Sequence, residues 1–420
     1  MIAALLLVLT SACDRDAIRD LSFACGADCR LFYAKRANEA AWIDCAGGAT
    51  PAGARLAEVL ARADRDGLSG SDYAVDALDG PAREVALTRV ISRYAADFRF
   101  GRTAPAPDDP AIGAALDALA RGDDALGVLQ TIAPKGERFA SLWSALRSET
   151  LSSTVAARVA INLERARSPV TPHHAGMRRI EVNVPSFTAE IMHDGEETTS
   201  MRVIVGRRDR PTPLFGARIE RVVFNPYWSV PRRNAVEDIL PLARKNARYF
   251  TDKHMRVLAG DQLVDPESID WKSLVGLPYR FRQDPGPWNA LGRVKLEAPN
   301  PHGVLLHDTS APELFARSER MFSSGCVRLE DPSGLALALL SDQGWTKEAF
   351  DAAIASNRTR TVKLDRPAEL VIGYWTAEVR AGRVTLYDDV YGLDRRLEEA
   401  IARRAPAIDL AAAMACDLGV

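Results

Sequence analysis

The apolar pattern changes period once along this chain, and that change constrains the fold more than any other feature. Between residues 51 and 160 apolar side chains recur at helical spacing, the mark of helices packed by one face. Leu56, Val59, Leu60 and Ala63 form one stripe, stopped by Asp66-Gly67. Val85–Phe98 repeats it, and the proline-rich stretch Arg102–Pro110 interrupts it. Ile112–Leu119, Ala125–Ile132, Phe139–Leu146 and Val155–Leu163 follow. Residues 168–177, SPVTPHHAGM, have the composition of a linker, with His173 and His174 as solvated loop residues. Beyond them the pattern alternates: Arg179–Val184, Thr188–Met192, Met201–Val205 and Ile219–Phe224, with Asp194-Gly195 as a hairpin turn. The expected fold class is α+β. A helical domain at 14–167 leads through the linker to a mostly-β domain at 178–378, sandwich-like or barrel-like. Leu329–Leu340 reads as a buried helix. Residues 379–420 are expected to add a strand and a helix packed on the β domain.

Composition narrows the function. The chain has 420 residues, 26% of them charged, with a formal net charge of −2. No basic excess exists to neutralise phosphates, which argues against a nucleic-acid partner. Residues 1–13, MIAALLLVLTSAC, read as a secretory signal or an imperfect lipoprotein box with Cys13 as the lipidated residue. That lipid is the only expected link to a membrane, because the apolar run is too short to span one. The expected location is periplasmic. Cys25, Cys29 and Cys45 crowd together, as suits an oxidising compartment, and with Cys416 they allow three pairings.

The stretch richest in chemistry is Asn300–Asp331. An apolar run ends in His307-Asp308-Thr309, and Ser323-Ser324-Gly325-Cys326-Val327-Arg328 follows. A thiol is mostly protonated at neutral pH, with an ordinary pKa of about 8.5. An imidazole that takes its proton leaves a strong nucleophile. Gly325 permits a sharp turn that can aim amide N–H groups at an oxyanion, and Ser323 and Ser324 add small hydroxyl donors. On a strand Arg328 shares a face with Cys326, where a guanidinium favours a thiolate or holds a carboxylate. Asp308, adjoining His307, would point the other way. The base is then oriented by a backbone carbonyl or by a residue from elsewhere. His302 and His307 are spaced for opposite faces, and no Cys or His spacing suits zinc, so neither metal nor cofactor is expected.

Ser323–Arg328, with Leu306-His307-Asp308-Thr309 upstream, resembles the signature of L,D-transpeptidases with a YkuD-type catalytic domain. The double serine is similar to that of the large periplasmic YcbB-like subfamily. Asn225–Pro231, Asn289–Arg293 and Gly373–Thr376 match in order. The resemblance implies a helical scaffold domain, here in a short form with no room for an inserted module between Leu146 and Ala156. It implies substrate contacts at Tyr227, Trp228, Asn289 and Gly292 besides Ser323 and Arg328. Tyr227 and Trp228 can equally plug a sheet corner. It also implies a capping loop over 232–260, which reads as helical and basic. Members often carry an aromatic residue two positions before the histidine. Leu305 stands there, so help from an aromatic hydroxyl is absent or replaced.

The activity implied is peptidoglycan crosslinking. Cys326 would be acylated by a donor stem peptide, with His307 as base and then acid and the Gly325 region as oxyanion hole. An acceptor stem peptide would resolve the thioester, and other cell-wall enzymes are possible partners. Carboxypeptidation, D-amino-acid exchange or protein attachment would use the same acyl-enzyme. A non-catalytic wall-binding protein is the contrasting alternative.

Overall fold

The computed structural model describes residues 11, 13–75, 78–103, 105–148, 151–168, 177–193 and 196–404. The expected leader before residue 11, His173, His174, most of the expected linker, the expected turn at Asp194-Gly195 and Cys416 lie outside the described residues. The chain divides into two units, residues 1–169 with 376–420, and residues 170–375.

The first unit opens with α1 (Arg15–Cys25) and α2 (Ala27–Lys35). The expected stripes then appear as α3 (Pro51–Ala61), α4 (Gly80–Phe100), α5 (Pro110–Arg121), α6 (Ala125–Ile132), α7 (Glu137–Ser148) and α8 (Ser153–Arg167). Local chemistry sets their ends. Thr50, Asp109, Asp124 and Ser152 cap α3, α5, α6 and α8 with side-chain oxygens, and Pro51 and Pro110 occupy first-turn positions that need no N–H. The stripes meet in one core that holds Trp42, Leu56, Phe98, Leu116, Phe139 and Leu163.

Sulfur chemistry differs from the expectation for Cys13. Its sulfur is bonded to Cys45, and Cys25 is bonded to Cys29. A sulfur in a disulfide has no valence left for a lipid thioether.

One buried carboxylate organises the start of this unit. Glu84 on α4 accepts from the amides of Ala41, Trp42 and Ile43 at 2.7, 3.0 and 3.0 Å, and from the Tyr33 hydroxyl at 2.9 Å. Burial raises its pKa, and those amide bonds oppose the rise. Alanine at this position would leave three donors buried without an acceptor. Glu84→Ala is therefore expected to cost about 3–5 kcal/mol of unfolding free energy in denaturant titration.

The second unit begins with β1 (Arg179–Asn183), β2 (Thr188–His193), β3 (Glu196–Gly206) and β4 (Phe215–Phe224). A cap follows. It contains β5 (Trp228–Ser229), α9 (Arg232–Asn234), a π-helical segment (Ala235–Ile239), α10 (Leu240–Lys245), α11 (Tyr249–Asp252), β6 (Met255–Ala259), β7 (Gln262–Val264) and β8 (Arg280–Gln283). The cap is thus wider than the helical loop expected over 232–260, and it has its own four-stranded sheet, ordered β5-β8-β6-β7. Phe250, Trp271 and Phe281 fill its separate core. Then come β9 (Val294–Glu297), β10 (Leu306–His307), β11 (Met321–Ser323), β12 (Val327–Leu329), α12 (Pro332–Leu340), α13 (Lys347–Ala355) and β13 (Arg360–Gly373).

The main sheet runs β11-β3-β12-β10-β9-β4-β13-β1-β2, and β2 also pairs with β3, so the sheet closes on itself. Val182, Val205, Val222, Leu296, Leu306, Val327 and Leu370 are buried in it. Closure removes the open edges that invite stray pairing.

The last segment departs from the sequence reading. β14 (Ala377–Arg380), β15 (Arg383–Leu386) and α14 (Leu393–Ala402) belong to the helical unit, not to the β domain. The Asn162 amide on α8 donates to Thr376 Oγ1 at 2.8 Å. Asp394 accepts from that same hydroxyl at 2.7 Å and pairs with Arg165 at 2.6 Å. Apolar periodicity announced these elements but said nothing of which neighbour they would join.

Candidate active site

The site is built on strand register. β10 lies between β9 and β12, antiparallel to the first and parallel to the second, with Leu306 opposite Val327 and His307 opposite Arg328. Leu305 therefore faces Cys326, and its amide donates to Cys326 Sγ at 3.5 Å. Cys326, Arg328 and His307 share one face of the pair, because paired residues on neighbouring strands point the same way. Strand geometry puts the Cα atoms of His307 and Cys326 about 8 Å apart.

The imidazole is buried, and its Nδ1 lies 2.5 Å from the Asp308 carbonyl oxygen. A carbonyl only accepts, so Nδ1 carries the proton and Nε2 keeps its lone pair. Of the two orienting groups considered from the sequence, a backbone carbonyl occupies this position. Burial first, then the Arg328 charge, lower the imidazole pKa to about 3. Burial raises the Cys326 thiol pKa, against the Leu305 amide and the Arg328 charge. At neutral pH both groups rest uncharged, as a thiol and a neutral imidazole.

Asp308 has a different task. Its carboxylate accepts from the amides of Arg293 and Thr309, both at 2.7 Å. It is packed against Gly292, where an added Cβ would lie 2.3 Å from the carboxylate and where φ is +62°. Gly292→Ala is expected to strain the backbone and displace Asp308. A loss of about 1–3 kcal/mol in thermal unfolding is the outcome that checks this.

The turn bearing Cys326 arcs over the end of β3, which pairs with β12 on one side and β11 on the other. Gly325 adopts φ +117°, a conformation that L side chains rarely take. The buried Ser323 hydroxyl donates to the Cys326 carbonyl at 2.5 Å and accepts from the Gly325 amide at 3.1 Å. Ser323, expected to contact substrate, thus closes the turn through both bonds of its hydroxyl. The Gly325 amide is occupied, so it is not an oxyanion donor either. The Cys326 amide has no partner among the described residues and is the better candidate. Ser324 is exposed, and its hydroxyl accepts from Arg207 at 3.2 Å and Arg210 at 3.1 Å.

Two other expected contacts, Asn289 and Gly292, are taken up by packing within the domain. Asn289 is wholly buried, and its amide donates to the carbonyls of Pro226 and Asp284, both at 3.0 Å. It braces a loop and does not line a groove. Gly292 makes room for Asp308, as above. Trp228 pairs through β5 with Gln283 and packs on the cap core. Tyr227 is exposed, with the Arg282 guanidinium 4.7 Å from its ring centroid. Arg328 is half-buried, and its Nε has no hydrogen-bond partner among the described residues. Sequence reasoning missed Arg207 and Arg210. No local signal marks an arginine such as Arg210, whose partners lie on two other, distant segments.

A helical unit and a closed β domain that presents a thiol and a neutral imidazole on paired strands define a class suited to acyl transfer. Residues 177–347 match the model of the YkuD L,D-transpeptidase catalytic domain, and residues 27–146 match that of a Scaffold domain. Residues 177–347 are thus a YkuD-type L,D-transpeptidase catalytic domain by similarity to that model. A curated relative from Haemophilus influenzae, named "Putative L,D-transpeptidase", is 36% identical over 247 residues, which is 58% of this chain and 50% of that protein. The chain thus spans about half the length of that relative. Among solved structures, an L,D-transpeptidase from Mycobacterium smegmatis is 11% identical, covers 47% of this chain and 58% of its own, and has a TM-score of 0.24. One from Stackebrandtia nassauensis is 15% identical, covers 78% and 92%, and has a TM-score of 0.20.

Proposed function

We propose that this protein is a peptidoglycan L,D-transpeptidase that works through a thioester on Cys326. The observation that carries the reading is the β10–β12 register, with the Leu305 amide on the sulfur and His307 on the same face. In the first step His307 Nε2 takes the thiol proton as sulfur attacks the carbonyl of the third residue of a tetrapeptide stem. That residue is usually meso-diaminopimelate. The oxyanion forms beside the Cys326 amide. His307 then returns the proton to the departing nitrogen, and D-alanine leaves. In the second step the side-chain amine of another stem attacks the thioester and loses its proton to His307. The amide that forms is a 3→3 crosslink, and the thiol is restored.

The same reading places the protein in the periplasm. The Cys13–Cys45 and Cys25–Cys29 bonds support it, since disulfides persist in oxidising compartments. Anchoring through Cys13 is not part of the proposal.

Intact-mass measurement with a carbapenem tests the nucleophile. One covalent adduct is expected on the native protein. An unmodified mass after prolonged incubation would defeat the proposal. Muropeptide product analysis then separates crosslinking from hydrolysis or D-amino-acid exchange on the same acyl-enzyme.

A further inference from the structure

Arg210 sits where three segments of the catalytic unit meet. Its side chain is 4% exposed, and among the described residues its guanidinium hydrogen-bonds side chains and no backbone carbonyl. Nη1 donates to Asp238 Oδ2 at 2.7 Å and to Ser324 Oγ at 3.1 Å. Nη2 donates to Asp238 Oδ1 at 2.9 Å and to Glu237 Oε2 at 2.5 Å. Arg207 makes a second, looser bridge, to Ser324 Oγ at 3.2 Å and toward Asp238 at 3.6 Å.

Each end of this bridge is held. On one side, the loop carrying Arg210 is folded tightly on itself. The Gly206 amide donates to Thr212 Oγ1 at 2.8 Å, and a Cβ on Gly206 would lie 2.2 Å from the Arg210 carbonyl oxygen. The Arg207 amide donates to the Ser323 carbonyl at 3.0 Å, so loop and catalytic turn share a backbone bond. On the other side, Glu237 and Asp238 belong to the π-helical segment of the cap. Such segments are uncommon and often sit at functional sites. The Asn234 amide holds Asp238 at 3.0 Å, and Arg233 holds Glu237 at 3.1 Å.

Arg210 Nε makes no hydrogen bond among the described residues, so the polar contacts of the side chain are those of its two Nη atoms. The Arg210 fork is aligned to the cap carboxylates and to the exposed Ser324 hydroxyl on the turn.

We propose that Arg210 is a positioning residue that ties the cap to the turn bearing Cys326, so that the cap's position sets the geometry of that turn. With the cap docked, Arg210 holds Ser324, and the amide of Cys326 is presented to the reacting carbonyl. When the cap lifts, Glu237 and Asp238 leave with it, and the Ser324–Cys326 turn loses its brace. Acylation is thereby confined to the capped state. This inference rests on Cys326 being the nucleophile.

The experiment is a double-mutant cycle on the full chain, read as the rate of carbapenem acylation by intact mass. Arg210→Gln, and separately Glu237→Gln with Asp238→Asn, are each expected to slow acylation about 10- to 100-fold. All three changes together should be no slower than Arg210→Gln alone, because both sets break one bridge. The loss should fall on the limiting acylation rate and not on the concentration for half saturation. Native rates in Arg210→Gln, or effects that multiply, would overturn the proposal. If Arg210→Gln does not fold, the half-exposed cap pair carries the test alone. An adduct on the native protein together with native rates in the variants would sink this inference while leaving the proposed nucleophile intact. No adduct on the native protein would remove both.

Discussion

A Cys326→Ala protein is expected to form no carbapenem adduct and to lose transpeptidation by a factor of about 10⁴ or more. Among the described cysteines Cys326 alone is free, and the other four are joined in pairs. No other described thiol can substitute. The fold should survive. Cys326 is half-buried, and the sulfur accepts one long bond, from the Leu305 amide at 3.5 Å. Its loss should cost about 1 kcal/mol in thermal or urea unfolding. Cys326→Ser is expected to be nearly as inactive. A neutral, buried imidazole is a weak base for a hydroxyl, whereas a thiol gives up its proton far more readily. A Cys326→Ala protein that still crosslinked stem peptides would show the thiol to be incidental.

The second large effect concerns His307. Replacing it with glutamine keeps a polar side chain and removes the base, and acylation should fall about 10²- to 10⁴-fold. The pH dependence is the sharper readout. With the imidazole pKa lowered to about 3 and the thiol raised by burial, the resting pair does not change charge near neutrality. The acylation rate should therefore stay flat between about pH 5 and about pH 8, with no limb at the ordinary histidine value of about 6.5. Stability should behave in the opposite sense. His307 titrates near 6.5 unfolded and near 3 folded, so below pH 6.5 the unfolded chain binds a proton that the folded chain refuses. The contribution is complete above that value and is lost as pH falls toward 3, by up to about 5 kcal/mol. Urea unfolding from pH 7 to pH 4 should show a steeper decline for the native protein than for His307→Gln. Parallel declines would mean that the imidazole is not held neutral by the fold.

Much of the fold could be read from local pattern, because helix stripes and caps are short-range devices. Thr50-Pro51 and Asp109-Pro110 open α3 and α5 by contacts within the first turn. The alternating runs became strands, although β1 is covered on both faces and buries Glu181 and Asn183. The position of Gly325 before the thiol was readable too, since its positive φ is one that other residues resist. Roles assigned by residue type fared less well. Asn289 and Ser323 look like substrate donors on paper, but Asn289 satisfies the carbonyls of Pro226 and Asp284, and Ser323 satisfies backbone groups of its own turn. Burial decides between those uses, and burial is not a local property.

The chain order of Leu305, His307, Cys326 and Arg328, the chemistry of an imidazole beside a thiol, and the switch from helical to alternating period were set by the sequence alone. Tertiary structure decided three other matters. It threaded β3 between β11 and β12, so that the catalytic turn crosses the strand end. It carried the segment after Trp375 into the helical unit. It brought Arg210 between Ser324 and the cap carboxylates, which lie far apart along the chain. Each is a pairing between distant segments, selected by which surfaces can be buried together and not by the preferences of neighbouring residues.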